Sequence, residues 1–264
     1  MSEPKLSVTE LYKGYRLNGV PVPVLAGVSL TACAGEFVTL IGPSGSGKST
    51  LFNLIVGLEE PDAGEIRFDG LVRPVRTGLV GYMPQRDLLL PWRSVLDNVI
   101  LGPELAGIPR EQARAEAREY LPLFGLEGFE HAYPAALSGG MRQRAALLRT
   151  FLCHKEIMLL DEPLGALDAL TRAEMQEWLL EVWSARVGGQ TILFITHDVE
   201  EAVFLSDRVY VFTPRPGRIA AELHIPLPRP RRRSMVTTPP FIALKEALLA
   251  ALNTRNGGPA SRMP

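Results

Sequence analysis

Short apolar runs bounded by turn residues alternate along this chain with longer stretches of helical composition, and the alternation predicts an α/β core built on a largely parallel sheet. Phe37-Val38-Thr39-Leu40-Ile41, Ile157 to Leu160, Thr191 to Thr196 and Arg208 to Phe212 read as buried strands. Leu6-Ser7-Val8, Val24 to Leu30 and Gly64 to Phe68 read as strands of a smaller antiparallel layer. The texture changes near Leu88. Glu111 to Phe124 is rich in Ala, Arg and Glu, which favour helix, and Ser138 to Leu152 reads as a helix entered through glycines. The pattern therefore predicts a core formed by residues 1–87 and 152–225, an inserted helical subdomain at 88–151 and a tail at 226–264. In the tail, Pro226, Pro228, Pro230, Pro239 and Pro240 are expected to preclude long regular elements. Phe241 to Leu252 is expected to close the chain as an amphipathic helix, and Asn256 to Pro264 to be disordered.

Composition narrows the classes of function. With 264 residues, 46% of them hydrophobic, the chain can bury a substantial interior. Lys and Arg total 28 against 29 for Asp and Glu, so no net field draws it to nucleic acid, and no nucleic-acid partner is expected. Met1-Ser2-Glu3-Pro4-Lys5 lacks the basic-then-apolar layout of a secretory signal, which points to the cytoplasm. The longest uncharged run, Leu17 to Gly35, contains Asn18, Gly19, Pro21, Pro23 and Gly27 and fails as a membrane span. Cys33 and Cys153 lack metal-ligand spacing and read as two free thiols.

Gly42-Pro43-Ser44-Gly45-Ser46-Gly47-Lys48-Ser49 is a complete G-x-x-x-x-G-K-S loop between a predicted strand and a segment, from Ser49-Thr50, that can open a helix. Glycines let backbone N–H groups turn toward an anion, and the helix N-terminus adds partial positive charge. Lys48 can reach the β- and γ-phosphates, and the Ser49 hydroxyl can ligate the bridging Mg²⁺. A nucleoside triphosphate with Mg²⁺ is the expected ligand, held by Gly42 to Thr50.

Ile157-Met158-Leu159-Leu160-Asp161-Glu162 is an apolar strand ending in two carboxylates at the edge where a parallel sheet presents ligand-binding groups. Alone, such a pair serves helix capping as readily as chemistry. Beside a phosphate loop, Asp161 is expected to hold Mg²⁺, and Glu162 to act as general base toward water.

Leu137-Ser138-Gly139-Gly140-Met141-Arg142-Gln143-Arg144 resembles the signature sequence of ATP-binding-cassette (ABC) ATPases. Other family elements follow in order: Gln85 in Tyr82-Met83-Pro84-Gln85 resembles the Q-loop glutamine, Leu164 to Asp168 the D-loop, and Thr196-His197-Asp198 the switch histidine. The resemblance covers roughly residues 5–225 and implies a P-loop NTPase (RecA-like) α/β core with an antiparallel layer and an inserted helical subdomain. It further implies a head-to-tail dimer in which the Lys48 loop of one copy and Ser138, Gly139 and Gly140 of the other sandwich ATP. By the same resemblance Tyr15 stacks on adenine, although Tyr12 competes for that role. His197 addresses the γ-phosphate, and Gln85 senses Mg²⁺. Asp168 either crosses the dimer interface or caps a helix. Met141 and Gly165 depart from common family residues without removing a chemical group.

An ATPase of this kind passes its motion to a partner, and Arg86-Asp87-Leu88-Leu89-Leu90-Pro91-Trp92 is the expected contact with an integral membrane permease; a core-packing loop is the alternative. Leu-Leu-Pro-Trp resembles importers of the nitrate, sulfonate and taurine type, while Leu148 to Leu152 resembles a related branch serving thiamine-precursor pyrimidines. Arg215-Pro216-Gly217-Arg218 and Arg229-Pro230-Arg231-Arg232-Arg233 fit the same subfamily. The arginine run reads either as a solvated basic loop or as a contact with lipid headgroups or a partner. These resemblances imply a peripheral subunit at the cytoplasmic face of the inner membrane, served indirectly by a substrate-binding protein. An export ATPase and a soluble non-transport ABC ATPase are the rival readings.

Overall fold

The computed structural model describes residues 4–185 and 190–253; the expectation for Asn256 to Pro264, like most of the amino-terminal pentapeptide, lies outside them. The chain divides into two compact units, one formed by residues 1–77 with 191–264 and the other by 78–190.

The first unit begins with β1 (Leu6–Leu17), β2 (Val20–Ala32), β3 (Phe37–Ile41), α1 (Lys48–Val56), β4 (Ala63–Phe68) and β5 (Leu71–Val72). The second contains β6 (Gly81–Met83), α2 (Val95–Val99), α3 (Leu101–Leu105), α4 (Arg110–Tyr120), α5 (Gly139–Phe151), β7 (Ile157–Asp161) and α6 (Ala169–Ala185). The chain then returns to the first unit with β8 (Thr191–Thr196), α7 (Val199–Leu205), β9 (Arg208–Phe212), β10 (Ile219–His224) and α8 (Pro239–Asn253).

In the first unit β3 lies between β8 and β9, parallel to both, and β10 runs antiparallel to β9. Every residue of β3, β8 and β9 is buried, which is why these strands read as unbroken apolar runs without alternation. A separate antiparallel sheet has the order β2-β1-β4-β5. Its β1 and β2 are far longer than their apolar cores, because a bulged hairpin carries them on through exposed positions to Leu17 and Val20.

The second unit pairs β6 parallel to β7, with α5 packed against β6. Trp178 of α6 sits edge-on to Phe124, with ring centroids 4.2 Å apart, and 6.0 Å from Phe151 of α5, which in turn meets Tyr120 of α4 at 5.1 Å. Such pairs contribute about 0.5–1.5 kcal/mol each beyond area burial. The helix expected over Glu111 to Phe124 ends at Tyr120, and the chain turns at Gly125, whose φ is 58°. Both cysteines are free thiols.

The tail departs from expectation in two ways. Pro239 and Pro240 open α8 rather than break structure, because first-turn N–H groups have no intrahelical acceptor to lose. The arginine run is largely neither solvated nor available to lipid. Arg231 is buried and donates to the carbonyls of Val203, Phe204 and Ser206 at the end of α7, at 3.2, 3.0 and 2.7 Å. Burial lowers its pKa to about 10. Arg229 pairs with Asp207 at 2.7 Å, and the other Asp207 oxygen accepts the N–H of Phe37 at the start of β3. Arg233 lies over the Phe204 ring, and of this run Arg232 is exposed. The charges in this segment therefore close the C-terminal end of a short helix, where backbone carbonyls lack partners.

Among the described residues no helix is long and apolar enough to cross a membrane. Arg231→Ala is expected to lower unfolding free energy in a denaturant titration by about 2 kcal/mol, because it orphans several buried carbonyls. The exposed Arg232→Ala should fall within about 0.5 kcal/mol of the parent; equal effects would reject the capping role.

Candidate functional site

The phosphate loop leaves β3 at Ile41 and enters α1 at Lys48. Gly47 has φ 97°, and a Cβ there would stand 2.7 Å from a methyl of Leu25, so both conformation and space require glycine. Lys48 is 6% exposed, and its Nζ donates to the carbonyls of Gly42 and Pro43 at 2.8 and 2.9 Å and to Ser46 Oγ at 3.2 Å. Ser49 is exposed in the first turn of α1, with Thr50 beside it. The parallel register of β3 and β8 pairs Ile41 with Thr196. Gly42 and His197 therefore leave neighbouring strands at the same carboxyl edge, where open α/β sheets bind ligands. His197 is exposed, and Asp198 caps α7 by accepting the N–H groups of Glu200 and Glu201.

Tyr15 lies on β1 in the same unit and lines an open groove of about 590 Å³ with Lys13, Val22, Pro23 and Leu25. Tyr12 lines it too, and both tyrosines are substantially exposed, so neither is a core residue. Tyr12 donates to Glu10, whereas Tyr15 donates to Glu59. Partial burial, followed by the hydrogen bond and charge of Glu59, pushes the Tyr15 phenol up to about 12.

The second unit gathers the remaining candidates. Asp161 ends β7 and is buried; burial and the charge of Asp161 together raise the pKa of Tyr82 on β6. Glu162 follows with φ 49°, a left-handed conformation uncommon for a residue with a side chain. Its Oε2 accepts from Gln85 Nε2 at 3.1 Å, and its carbonyl accepts from Gln143 Nε2 at 3.0 Å. Ser138 caps α5, its Oγ accepting the Met141 N–H, so the exposed Gly139 and the half-buried Gly140 occupy the first turn of a 13-residue helix. Asp168 Oδ1 accepts the N–H groups of Leu170 and Thr171, which places it at the N-cap of α6; its hydrogen bonds with Thr171 lower its pKa.

The segment after Gln85 is anchored and exposed at once. Arg149 donates to the carbonyls of Asp87 and Leu88 at 2.6 and 2.8 Å, and Arg142 pairs with Asp87. Asn98 is fully buried: its Oδ1 accepts Leu90 N–H at 2.7 Å, and its Nδ2 donates to the carbonyls of Leu90, Arg93 and Ser94. Trp92 is 71% exposed, and Leu88 is exposed with φ 45°. Arg142, Gln143, Arg149 and Asn98 were not singled out from sequence, although the first two stand inside the signature segment. Asn98 carried no local signal, because its value lies in four backbone bonds formed only on folding.

A glycine-lined phosphate loop on a parallel-sheet edge, with a lysine folded into it, defines a P-loop nucleoside triphosphatase fold. The chain belongs to the ABC transporter family, whose profile matches residues 25–165, and it is an ABC-type ATPase. Formylaminopyrimidine import ATP-binding protein ThiZ of Halalkalibacterium halodurans is 46% identical over 82% of this chain and 83% of its own length. Taurine import ATP-binding protein TauB of Pseudomonas fluorescens is 43% identical over 88% of this chain and 89% of its own. Among solved structures, a dimeric bacterial ABC transporter cassette superposes with a TM-score of 0.75 at 31% identity, covering 83% of this chain and 98% of that one. The same cassette in a dimeric post-hydrolysis state bound to ADP and Pi gives 0.74 at 30% identity, with the same coverage.

Lys48→Ala is expected to weaken ATP binding at least about tenfold, the loss of a charged contact. Isothermal titration reads this directly, and unchanged affinity would contradict the assignment.

Proposed function

We propose that this protein is the ATP-hydrolysing subunit of a membrane importer, acting as a peripheral partner of an integral membrane permease on the cytoplasmic face. ATP is held by Gly42 to Thr50, with Tyr15 stacking on the base. The hydroxyl of Ser49, the carboxylate of Asp161 and the amide oxygen of Gln85 are hard oxygen donors of the kind Mg²⁺ prefers, and the ion would neutralise charge on the phosphates. Glu162 accepts a proton from the attacking water, and His197 orients that water against the γ-phosphate. Ser138, Gly139 and Gly140 receive the γ-phosphate of ATP held by a second copy, with Asp168 nearby. This uses the N–H groups and positive end of α5. A two-fold arrangement makes both sites equivalent, and the dimeric state of the related cassette supports it.

The observation that carries the transport reading is the Gln85-to-Trp92 segment. Its first residue bonds Glu162, its middle is anchored by Arg149 and Asn98, and it exposes Leu88 and Trp92. A large aromatic on a stiff, well-bonded support is a surface suited to a partner's apolar side chains. The solute is a small anion or organic molecule such as nitrate, a sulfonate or taurine, a reading supported by the taurine-import relative. The pyrimidine-import relative supports a thiamine-precursor pyrimidine as the second reading. Co-purification of the permease and its binding protein, followed by ligand titration of the latter, decides between them; an exporter or a soluble assembly in place of these partners would overturn import.

Glu162→Gln is expected to retain ATP binding and accumulate a closed dimer, because the sandwich survives while proton abstraction does not. Gel filtration showing only monomer at saturating Mg-ATP would count against it. Trp92→Ala should leave basal hydrolysis of the isolated subunit within about twofold, since no catalytic group changes, while lowering substrate-stimulated hydrolysis of the assembled complex at least about tenfold. Undiminished stimulation would reject the docking role.

A further inference from the structure

The turn that follows α1 reaches back to β1 and holds Tyr15 from two directions. Asp62 accepts the Gly14 N–H at 2.7 Å, and its own N–H donates to the Tyr12 carbonyl at 2.9 Å, so the strand backbone on either side of Lys13 is pinned. Glu59 accepts the Tyr15 hydroxyl through one carboxylate oxygen and the Asn53 amide through the other, at 3.1 Å. Asn53 lies on α1, the helix whose first turn carries Lys48 and Ser49. The turn itself is fixed by buried Arg76, which donates to the carbonyls of Leu54 and Glu59 and pairs with Glu60. Lys13 stands 5.5 Å from the Tyr15 ring centroid, so a cation sits against one face of the ring.

We propose that Glu59 is a positioning residue for base recognition, tying the Tyr15 ring through Asn53 to the helix that carries the phosphate loop. The inference rests on the assignment of Tyr15 as the base-stacking residue. Physically, an exposed tyrosine on a strand has rotamer freedom that stacking must remove. A carboxylate acceptor on the phenol removes it in advance, and a second bond from the same carboxylate to α1 fixes the spacing between ring and phosphate loop. A base and its phosphates are covalently linked, so a correct spacing lets both ends bind without deforming either subsite.

The test compares ATP with inorganic tripolyphosphate, both with Mg²⁺, by titration calorimetry on the full chain. Glu59→Ala is expected to weaken ATP about fivefold, as one net hydrogen bond would, while leaving tripolyphosphate unchanged. Glu59→Gln, which keeps a carbonyl acceptor, should recover most of the loss. Tyr15→Phe should match Glu59→Ala, and the double variant should be no weaker than either single one. Equal loss for ATP and tripolyphosphate in Glu59→Ala would show that Glu59 only maintains the fold and would overturn the proposal, as would undiminished ATP affinity. Tyr15→Ala separates the two levels. If it leaves the ratio of the two affinities unchanged, the stacking assignment fails and the inference fails with it. If it changes the ratio and Glu59→Ala does not, the Glu59 role alone is rejected.

Discussion

The shape of the phosphate loop depends on backbone approaching backbone more closely than any side chain would permit. A Cβ on Gly217 would lie 2.0 Å from the Ser46 carbonyl oxygen. The segment carrying Gly217 is stitched to β2, with Gly217 N–H donating to Val24 at 2.8 Å and Ala26 N–H donating to Gly217 at 3.0 Å. Loop, β2 and the Gly217 segment therefore form one packed stack, and Leu25 fills the space that a side chain on Gly47 would need. Lys48 completes it from inside by satisfying two loop carbonyls. Leaving a buried carbonyl unpaired costs about 1–3 kcal/mol, so the lysine supports the loop it serves. This dual use explains how a loop with few side chains keeps a fixed form at the end of a buried strand.

What the sequence revealed and what it concealed follow from the range of the interactions. The parallel strands were legible because burial on both faces leaves only apolar residues, and the phosphate loop because its spacing is a local requirement. The cap at Asp168 was legible for the same reason, since it acts on N–H groups two and three residues ahead. The long helix α6 was not, since its apolar residues do not gather into one stripe, and Trp178 is buried by Phe124 and Phe151 rather than by a periodic face. Asn98, Arg149 and Glu59 were silent for a related reason, their partners being backbone or side chains of other elements.

The arginine run shows how the same residues change meaning when their acceptors are known. Charge counting can offer only solvent, lipid or partner for four arginines spread among prolines. The structure supplies a fourth use, the unpaired carbonyls at the end of a helix only seven residues long. Arg231 spends its donors there, Arg229 bridges to Asp207 and thence to the first residue of β3, and Lys245 of α8 pairs with Glu200 of α7 at 2.7 Å. The tail is thus fastened to the strand that precedes the phosphate loop by polar contacts that composition alone does not distinguish from a surface charge cluster.

Glu162 holds a strained backbone conformation, with φ 49°. A left-handed conformation costs a non-glycine residue on the order of 1 kcal/mol and persists only when its surroundings over-determine it. Here the carbonyl is held by Gln143 and by the Gly165 N–H at 3.2 Å, and the carboxylate by Gln85. Leu88, three residues beyond Gln85, has the same backbone conformation, and Arg149 holds its carbonyl. A hydrogen bond from Gln85 therefore links the strained Glu162 to a short run of chain whose far end is the strained, exposed Leu88. Asn98 clamps the chain beyond Leu88 through Leu90, Arg93 and Ser94, on both sides of the exposed Trp92. The proposed base and the proposed docking residue are thus connected through one hydrogen-bonded segment, Gln85 to Trp92.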